Sequence, residues 1–578
     1  MPVTIRRSRA ATVRRSAPAA AGLLLASCAA GPADAPGGAA GKVDAPMSAA
    51  RPGALAVACE NLRALADYPG VVLQGERIAA GALSVAGAPV AEHCRVTGRL
   101  NERTSTVDGQ RYAIGFEMRL PQAWNGRFFY QANGGLDGNV VPATGLVTSG
   151  PASATALAQG FAVISSDAGH GAAQNGSFGV DPEARLDYGY RAVAVLTPFA
   201  KAMIRAAYGR APDRSYIGGC SNGGRHTLVA AARLPDAYDG YLVGDPGTVL
   251  PRAAIANLVG GRAYTALATD PADPGTGFTL AERRLVSNAV LERCDALDGA
   301  RDGLVQDTKA CQAAFALDRD VPTCSGARDG TCLSAAQKRT LASLFDGPRT
   351  RDGQRLYASF PWDAGLATPD WASWKFVSPA TRDAVAVGTV WQVPPASPTG
   401  FDGRAFVQAA DVDALLARVQ ATDATYRTAA LDFMLPPRID DFGAVARRGG
   451  RIVMYHGTSD PIFSSDHSVQ VYEGWSRGSG VAAERFARLY LVPGMNHCRA
   501  GPAADQFDLL TPLVQWVEQG RAPGAVTAAV RGPGNPAGAN ADLPAGWSPR
   551  RTRPLCPYPS VARYQGGDLE SAESFTCR

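Results

Sequence analysis

Short apolar runs recur along the chain, each ending in small or polar residues. They predict strands that alternate with helices. Phe128 to Gln131 is an aromatic strand end that runs into Gly134-Gly135. Ser215 to Gly218 is a short strand, and Arg225 to Leu234 reads as a helix stopped by Pro235. Arg451 to His456 and Phe486 to Val492 are two more apolar strands, each followed at once by a polar, glycine-containing loop. This alternation implies an α/β fold around a parallel sheet. No apolar run reaches the length of about 18 residues that a membrane-spanning helix needs.

Composition adds a class and an address. Of 578 residues, 46% are hydrophobic and 19% charged, which excludes wholesale disorder. The net charge of +5 is spread along the chain, with no basic block beyond the first fifteen residues, so no nucleic-acid partner is expected. Residues 1–28 have the anatomy of a lipoprotein-type signal peptide. Arg6, Arg7, Arg14 and Arg15 precede a short apolar stretch, Ala19 to Ala26, that ends Leu25-Ala26-Ser27-Cys28. Cys28 is the expected lipidation site and the only expected link to a membrane. Residues 29–53, rich in Ala, Gly and Pro, read as a flexible linker. The expected location is therefore outside the cytoplasm, as an outer-membrane lipoprotein, in the periplasm or secreted.

Export changes the reading of the eleven cysteines. Without Cys28, ten remain, enough for five bridges in an oxidising compartment. Close spacing suggests Cys59–Cys94, Cys294–Cys311, Cys324–Cys332 and Cys556–Cys577. Cys220 and Cys498 are left over.

Those two cysteines flank candidate chemistry. Gly219, Ser221 and Gly223 form G-x-S-x-G between a strand and a helix, the context of a nucleophile elbow. A serine needs a base, and an imidazole needs an acid to orient it. Asp460 and His497 each lie in a loop just past a strand, in the chain order Ser, Asp, His. His456 precedes the acid and reads as structural. If Ser221 and His497 meet, their neighbours Cys220 and Cys498 are close enough to be bridged. The oxyanion formed by attack needs N–H donors. Asn222 supplies one, and the Gly134-Gly135 loop supplies the other.

Gly-Cys220-Ser221-x-Gly-Gly-Arg, His456-Gly-x-Ser-Asp460, Pro-Gly-Met-Asn-His497-Cys498 and Arg-Pro-Leu-Cys556-Pro-Tyr-Pro together resemble the tannase and feruloyl esterase family of α/β-hydrolases. The resemblance spans roughly residues 55–578. It implies an α/β-hydrolase core in two parts, 54–247 and 436–578, with disulfide-clipped termini and a large lid domain inserted at 248–435. It also implies Ser221, Asp460 and His497 as triad, Gly135 and Asn222 as oxyanion donors, and the five disulfides above.

Inside the insert, Cys294-Asp-Ala-Leu-Asp-Gly-Ala-Arg-Asp-Gly-Leu-Val-Gln-Asp307 is dense in hard oxygen donors. In the family such a loop is a calcium site. The resemblance carries over Asp295, Asp298 and Asp302 through carboxylates, and Ala300 and Leu304 through carbonyls. Calcium is the one expected cofactor, and no organic cofactor is expected. Trp374 matches a ring-contacting residue of the family's terephthalate-monoester branch. Counting back from Trp391, Arg382 matches that branch's contact for a free carboxylate, and Ala386–Val387 replace its Phe–Ser pair. Asn222 replaces the Glu or Thr common after the nucleophile.

The reading is an exported serine carboxylesterase that cleaves esters of small aromatic acids of the gallate, ferulate or chlorogenate type. One alternative is a terephthalate-monoester hydrolase with the same triad. Another is a non-catalytic lipoprotein that binds aromatic ligands.

Overall fold

The computed structural model describes residues 43–147 and 150–578. The signal segment, Cys28 and most of the linker lie outside the described residues. Nine strands form the central sheet: β1 (Leu73–Ile78), β2 (His93–Thr104), β3 (Arg111–Pro121), β4 (Arg127–Gln131), β5 (Ala162–Ser166), β6 (Arg214–Cys220), β7 (Gly240–Gly244), β8 (Arg451–Gly457) and β9 (Ala487–Val492). Their spatial order is β9-β8-β7-β6-β4-β5-β3-β2-β1. From β9 to β5 neighbouring strands are parallel. Strands β3, β2 and β1 extend the other edge antiparallel.

Helices cover both faces, which is why the parallel strands read as unbroken apolar runs. Every residue of β7 and of β8 is buried. Along β4, Phe128 and Tyr130 face one apolar cluster and Phe129 faces the other, as the two-residue repeat of a strand requires. The first cluster includes Leu196, Phe199, Met203 and Ile204 of helix α1 (Ala192–Tyr208). The second includes Leu513, Trp516 and Val517 of α6 (Leu510–Gln519). Between them in sequence come α2 (Asn222–Arg233), α3 (Leu250–Leu267), α4 (Leu280–Cys294) and α5 (Ser465–Ser479).

The chain between β7 and β8 adds no strand to the sheet. It is a helical insert with an apolar centre of its own, built on Tyr264, Phe278, Val290, Leu341 and Trp371. Helix α4 of this insert opens with a reciprocal cap between Thr279 and Glu282. Disulfides Cys294–Cys311 and Cys324–Cys332 clip the insert. Cys59–Cys94 and Cys556–Cys577 clip the two ends of the described chain, and Cys220–Cys498 joins distant loops. The molecule is thus an α/β-hydrolase core with a large helical insert, and all five expected pairings are present.

The linker expected up to residue 53 is too long by about ten residues. Val43 is buried, the Met47 N–H donates to the Val517 carbonyl at 2.8 Å, and the Ala50 N–H donates to Glu518 at 3.0 Å. Gly53-Ala54 pairs with Ala123-Trp124. Backbone groups make most of these docking contacts, so no apolar pattern announces them.

The strand order reverses at β4, whose neighbours are β5 and β6. In open α/β sheets the crevice beyond the strand carboxyl ends at such a point takes the ligand. The loops after β4, β6, β8 and β9 meet there.

Candidate active site

Strand β6 ends at Cys220 and α2 begins at Asn222, so Ser221 alone makes the turn. Its backbone is held at φ 66° and ψ −128°, a conformation that L-residues rarely adopt. Three glycines make the turn possible. A Cβ on Gly219 would stand 2.3 Å from the Ala132 carbonyl oxygen, and one on Gly223 equally close to the same atom. A Cβ on Gly224 would stand 2.4 Å from the Gly244 carbonyl. The elbow is therefore clamped between the ends of β4 and β7, with the positive end of α2 beneath Ser221.

His497 brings the other end of the chain to this serine. Its Nε2 is 2.8 Å from Ser221 Oγ, and its Nδ1 is 2.7 Å from Asp460 Oδ2. With Nδ1–H donating to the carboxylate, Nε2 is free to accept the serine O–H. Asp460 is buried, and its Oδ1 accepts the N–H groups of Ile462 (2.8 Å) and Phe463 (3.0 Å). Burial alone would raise this carboxyl. The charges of His497 and His456 and the hydrogen bond from His497 outweigh it and hold Asp460 below the usual carboxylate range. The His497 ring is gripped edge-on by Trp374 at 5.0 Å and Phe463 at 5.3 Å. The Cys220–Cys498 bridge, with Cα atoms 6.1 Å apart, ties the residue before the serine to the residue after the histidine.

The loop after β4 lies against the nucleophile. A Cβ on Gly134 would be 3.6 Å from Ser221 Cβ. Gly135 takes φ 66°, and its carbonyl accepts the Tyr188 hydroxyl at 3.2 Å. The Gly135 N–H meets no protein acceptor among the described residues. Asn222 is the first residue of α2, whose N–H has no intrahelical partner. Its side chain donates to Asp137 Oδ2 at 2.9 Å and accepts from Arg225 Nε at 2.6 Å. His226 Nε2 also lies 3.0 Å from that Asp137 oxygen. This buried cluster locks the glycine loop to the helix start. Sequence reasoning passed over Asp137, Arg225 and His226, although Arg225 closes the quoted nucleophile motif and His226 adjoins it.

Leu136, Leu250, Trp374, Trp391 and Phe463 line a pocket over Ser221 of about 370 Å³, counted with the solvent at its mouth. Arg382 joins them, its guanidinium 4.4 Å above the Trp374 ring. Both residues sit on Ser373–Trp391, a stretch of wide helical turns in the insert. Ala386 also lines the pocket, while Val387 is buried behind it.

The acidic loop of the insert is separate from this pocket. Asp295 accepts the N–H groups of Asp302 (2.9 Å) and Gly303 (3.1 Å). Asp302 is engaged by Arg553 Nε at 2.9 Å. Asp298 Oδ2 is buried without a partner. Burial, with the neighbouring loop carboxylates adding to it, pushes Asp298 up to about 6 and Asp295 in the same direction. An orphaned oxygen among crowded carboxyl groups fits a hard cation. Ala300 and Leu304 are buried within the same loop.

The model of the family "Tannase and feruloyl esterase" matches residues 94–578. A mono(2-hydroxyethyl) terephthalate hydrolase of Piscinibacter sakaiensis is 38% identical over 539 residues, 86% of each chain. A probable feruloyl esterase B-1 of Neosartorya fischeri is 28% identical over 528 residues, 86% of this chain and 88% of its own. The crystal structure of feruloyl esterase B from Aspergillus oryzae superposes with a TM-score of 0.71 at 25% identity, covering 90% of this chain and 99% of its own. With a family model matched over most of its length, this chain belongs to the tannase and feruloyl esterase family and is a carboxylic ester hydrolase.

Proposed function

We propose that the protein is an exported serine esterase acting on esters of small aromatic acids. The observation that carries this reading is the Ser221–His497–Asp460 chain, at 2.8 and 2.7 Å, beneath an aromatic pocket. Ser221 attacks the acyl carbon while His497 Nε2 takes its proton. Asp460 fixes the imidazole tautomer and stabilises the imidazolium. The N–H groups of Gly135 and Asn222 hold the oxyanion. His497 returns the proton to the leaving alcohol and then activates the water that frees the acid. Trp374 presents its face to the aromatic acyl group.

Calcium belongs to the insert in this reading. Asp295, Asp298 and Asp302, with the carbonyls of Ala300 and Leu304, would hold the ion, which supplies stability and takes no part in ester cleavage. Export is supported by five disulfides, which persist in oxidising compartments. Residues 1–28 are the signal and Cys28 the site of a lipid anchor.

A second reading, a terephthalate-monoester hydrolase, is favoured by Arg382 in the pocket and by the Piscinibacter relative. A terephthalate monoester carries an anionic carboxylate that a guanidinium recognises, whereas a gallate or ferulate acyl group is neutral there. The test is acid release from methyl gallate, methyl ferulate, chlorogenate and mono(2-hydroxyethyl) terephthalate, with Ser221→Ala beside the unmodified protein. Turnover should fall at least about a thousandfold in Ser221→Ala. Turnover that survives this substitution overturns the mechanism. Binding of these esters without any turnover would instead mark a ligand-binding lipoprotein.

A further inference from the structure

A second buried carboxyl group stands behind the triad, and the mechanism above leaves it idle. Asp245 directly follows β7, as Ser221 follows β6 and as Asp460 lies just past β8. Its backbone is in the left-handed region at φ 33°. The side chain is fully buried. Oδ1 accepts the Gly457 N–H at 2.8 Å. Oδ2 is 3.4 Å from Cys220 Sγ, but that sulfur is bonded to Cys498 and has no proton to give. One side-chain atom each of Asp245, His456 and Asp460 falls within 4.8 Å of the others.

Two carboxylates so close in a dry environment do not both ionise. The donors decide which keeps the proton. Asp460 receives N–H groups from Ile462, Phe463 and His497, whereas Asp245 receives one, from Gly457. His456 faces both acids, at 3.8 Å from Asp245 and 3.4 Å from Asp460. Its closest contacts, however, are the Phe463 carbonyl (2.9 Å) and the Ser468 hydroxyl (2.7 Å). There Nε2–H donates to the Phe463 carbonyl, and although burial works against it, the facing Asp245 and Asp460 carboxyl groups raise His456 above the ordinary imidazole range. Tyr455, buried against Asp245, keeps its proton, and Lys375, half-buried near Asp460, is pushed down to about 8 by burial.

We propose that Asp245 is a positioning residue of the triad: a neutral carboxylic acid whose O–H donates to Asp460 and holds that carboxylate in line with His497. The inference rests on the triad reading above. Burial, opposed by His456 and reinforced by Asp460, pushes Asp245 up to about 8. Ionisation there would remove a donor from Asp460 and set a second anion beside it, so turnover falls on the alkaline side.

The test measures kcat and KM on p-nitrophenyl acetate from about pH 6 to about pH 10. It compares the full chain with Asp245→Asn, Asp245→Leu and Ser221→Ala. Asp245→Leu removes the donor, so kcat at pH 7 falls about tenfold to hundredfold with little change in KM. Asp245→Asn keeps an N–H donor. It retains at least about ten times the kcat of the leucine variant, and it loses the alkaline limb near pH 8 that the unmodified enzyme shows. Stability supplies an independent reading. A carboxyl at about 8 in the fold, against an ordinary 3.8, stabilises below about pH 4; that contribution is lost as pH rises through about 8. The melting temperature of Asp245→Asn therefore declines less than that of the unmodified protein over this range. An asparagine variant as impaired as the leucine variant at pH 7, or one that keeps the alkaline limb, overturns the proposal and gives the proton to His456. If Asp245→Leu does not fold, the limb of the asparagine variant decides alone. Activity that survives in Ser221→Ala sinks the triad reading instead, so the two ideas fail separately.

Discussion

At the carboxyl ends of β6, β8 and β9 each reactive group is held by several neighbours, whereas across the pocket Arg382 rests on the face of Trp374 alone. Asp460 has three N–H donors, His497 has two hydrogen-bonding partners and two aromatic walls, and Ser221 sits in a turn that three glycines make possible. Arg382 is exposed and, among the described residues, makes no hydrogen bond or ion pair. The difference separates two tasks. The sheet edge fixes a reaction that is the same for any ester, and the insert presents the groups that meet a particular acyl part. Rigid support is needed where ångström errors cost rate, and less is needed where the ligand itself completes the contact.

The comparison can be broken most severely at the bridge. Replacing Cys220 and Cys498 together by alanine removes a closed loop of 278 residues and the tie between elbow and base. A stability loss of about 2–5 kcal/mol is expected in denaturant titrations, with kcat lowered about tenfold or more. Retained kcat in a protein so weakened would mean that the glycine elbow alone aligns the triad. Next in size come the pocket residues. Trp374→Ala should raise KM about tenfold for every aromatic ester while leaving Ser221 reactive to a fluorophosphonate. Arg382→Ala should raise KM for mono(2-hydroxyethyl) terephthalate alone, and equal effects on methyl ferulate would remove the anion-recognition role. The smallest effect belongs to the acidic loop. Chelation by EDTA should lower the melting temperature by a few degrees with kcat at 25 °C unchanged, and an identical melting curve with no bound calcium would count against the metal.

Much of the sheet edge was legible in the sequence because its signals are local. A strand, two glycines, a serine and a helix lie within twenty residues, and Asp460 and His497 each follow an apolar run. The neighbouring cysteines then linked segments that no periodicity connects. Asp245 escaped because its meaning depends on three strand ends converging from distant parts of the chain; alone, Gly244-Asp245-Pro246 reads as a turn. Asp137 escaped for the same reason, as a polar residue in a glycine loop. The insert was harder still. Its pocket-lining stretch winds in wide turns, so the ordinary helical repeat misassigns which side chains share a face. The docked residues 43–53 carry no apolar pattern to read.

The Cys220–Cys498 bond has a further consequence for the chain as a length of string. The whole insert lies on the closed loop between these two residues. A protease that severs one peptide bond in the insert therefore releases nothing, because both new ends belong to pieces still knotted at the bridge. Such a nicked molecule would travel as one species on a gel until reductant parted it into two. The insert can be cut, and by the same topology lengthened, without the serine ever losing its histidine.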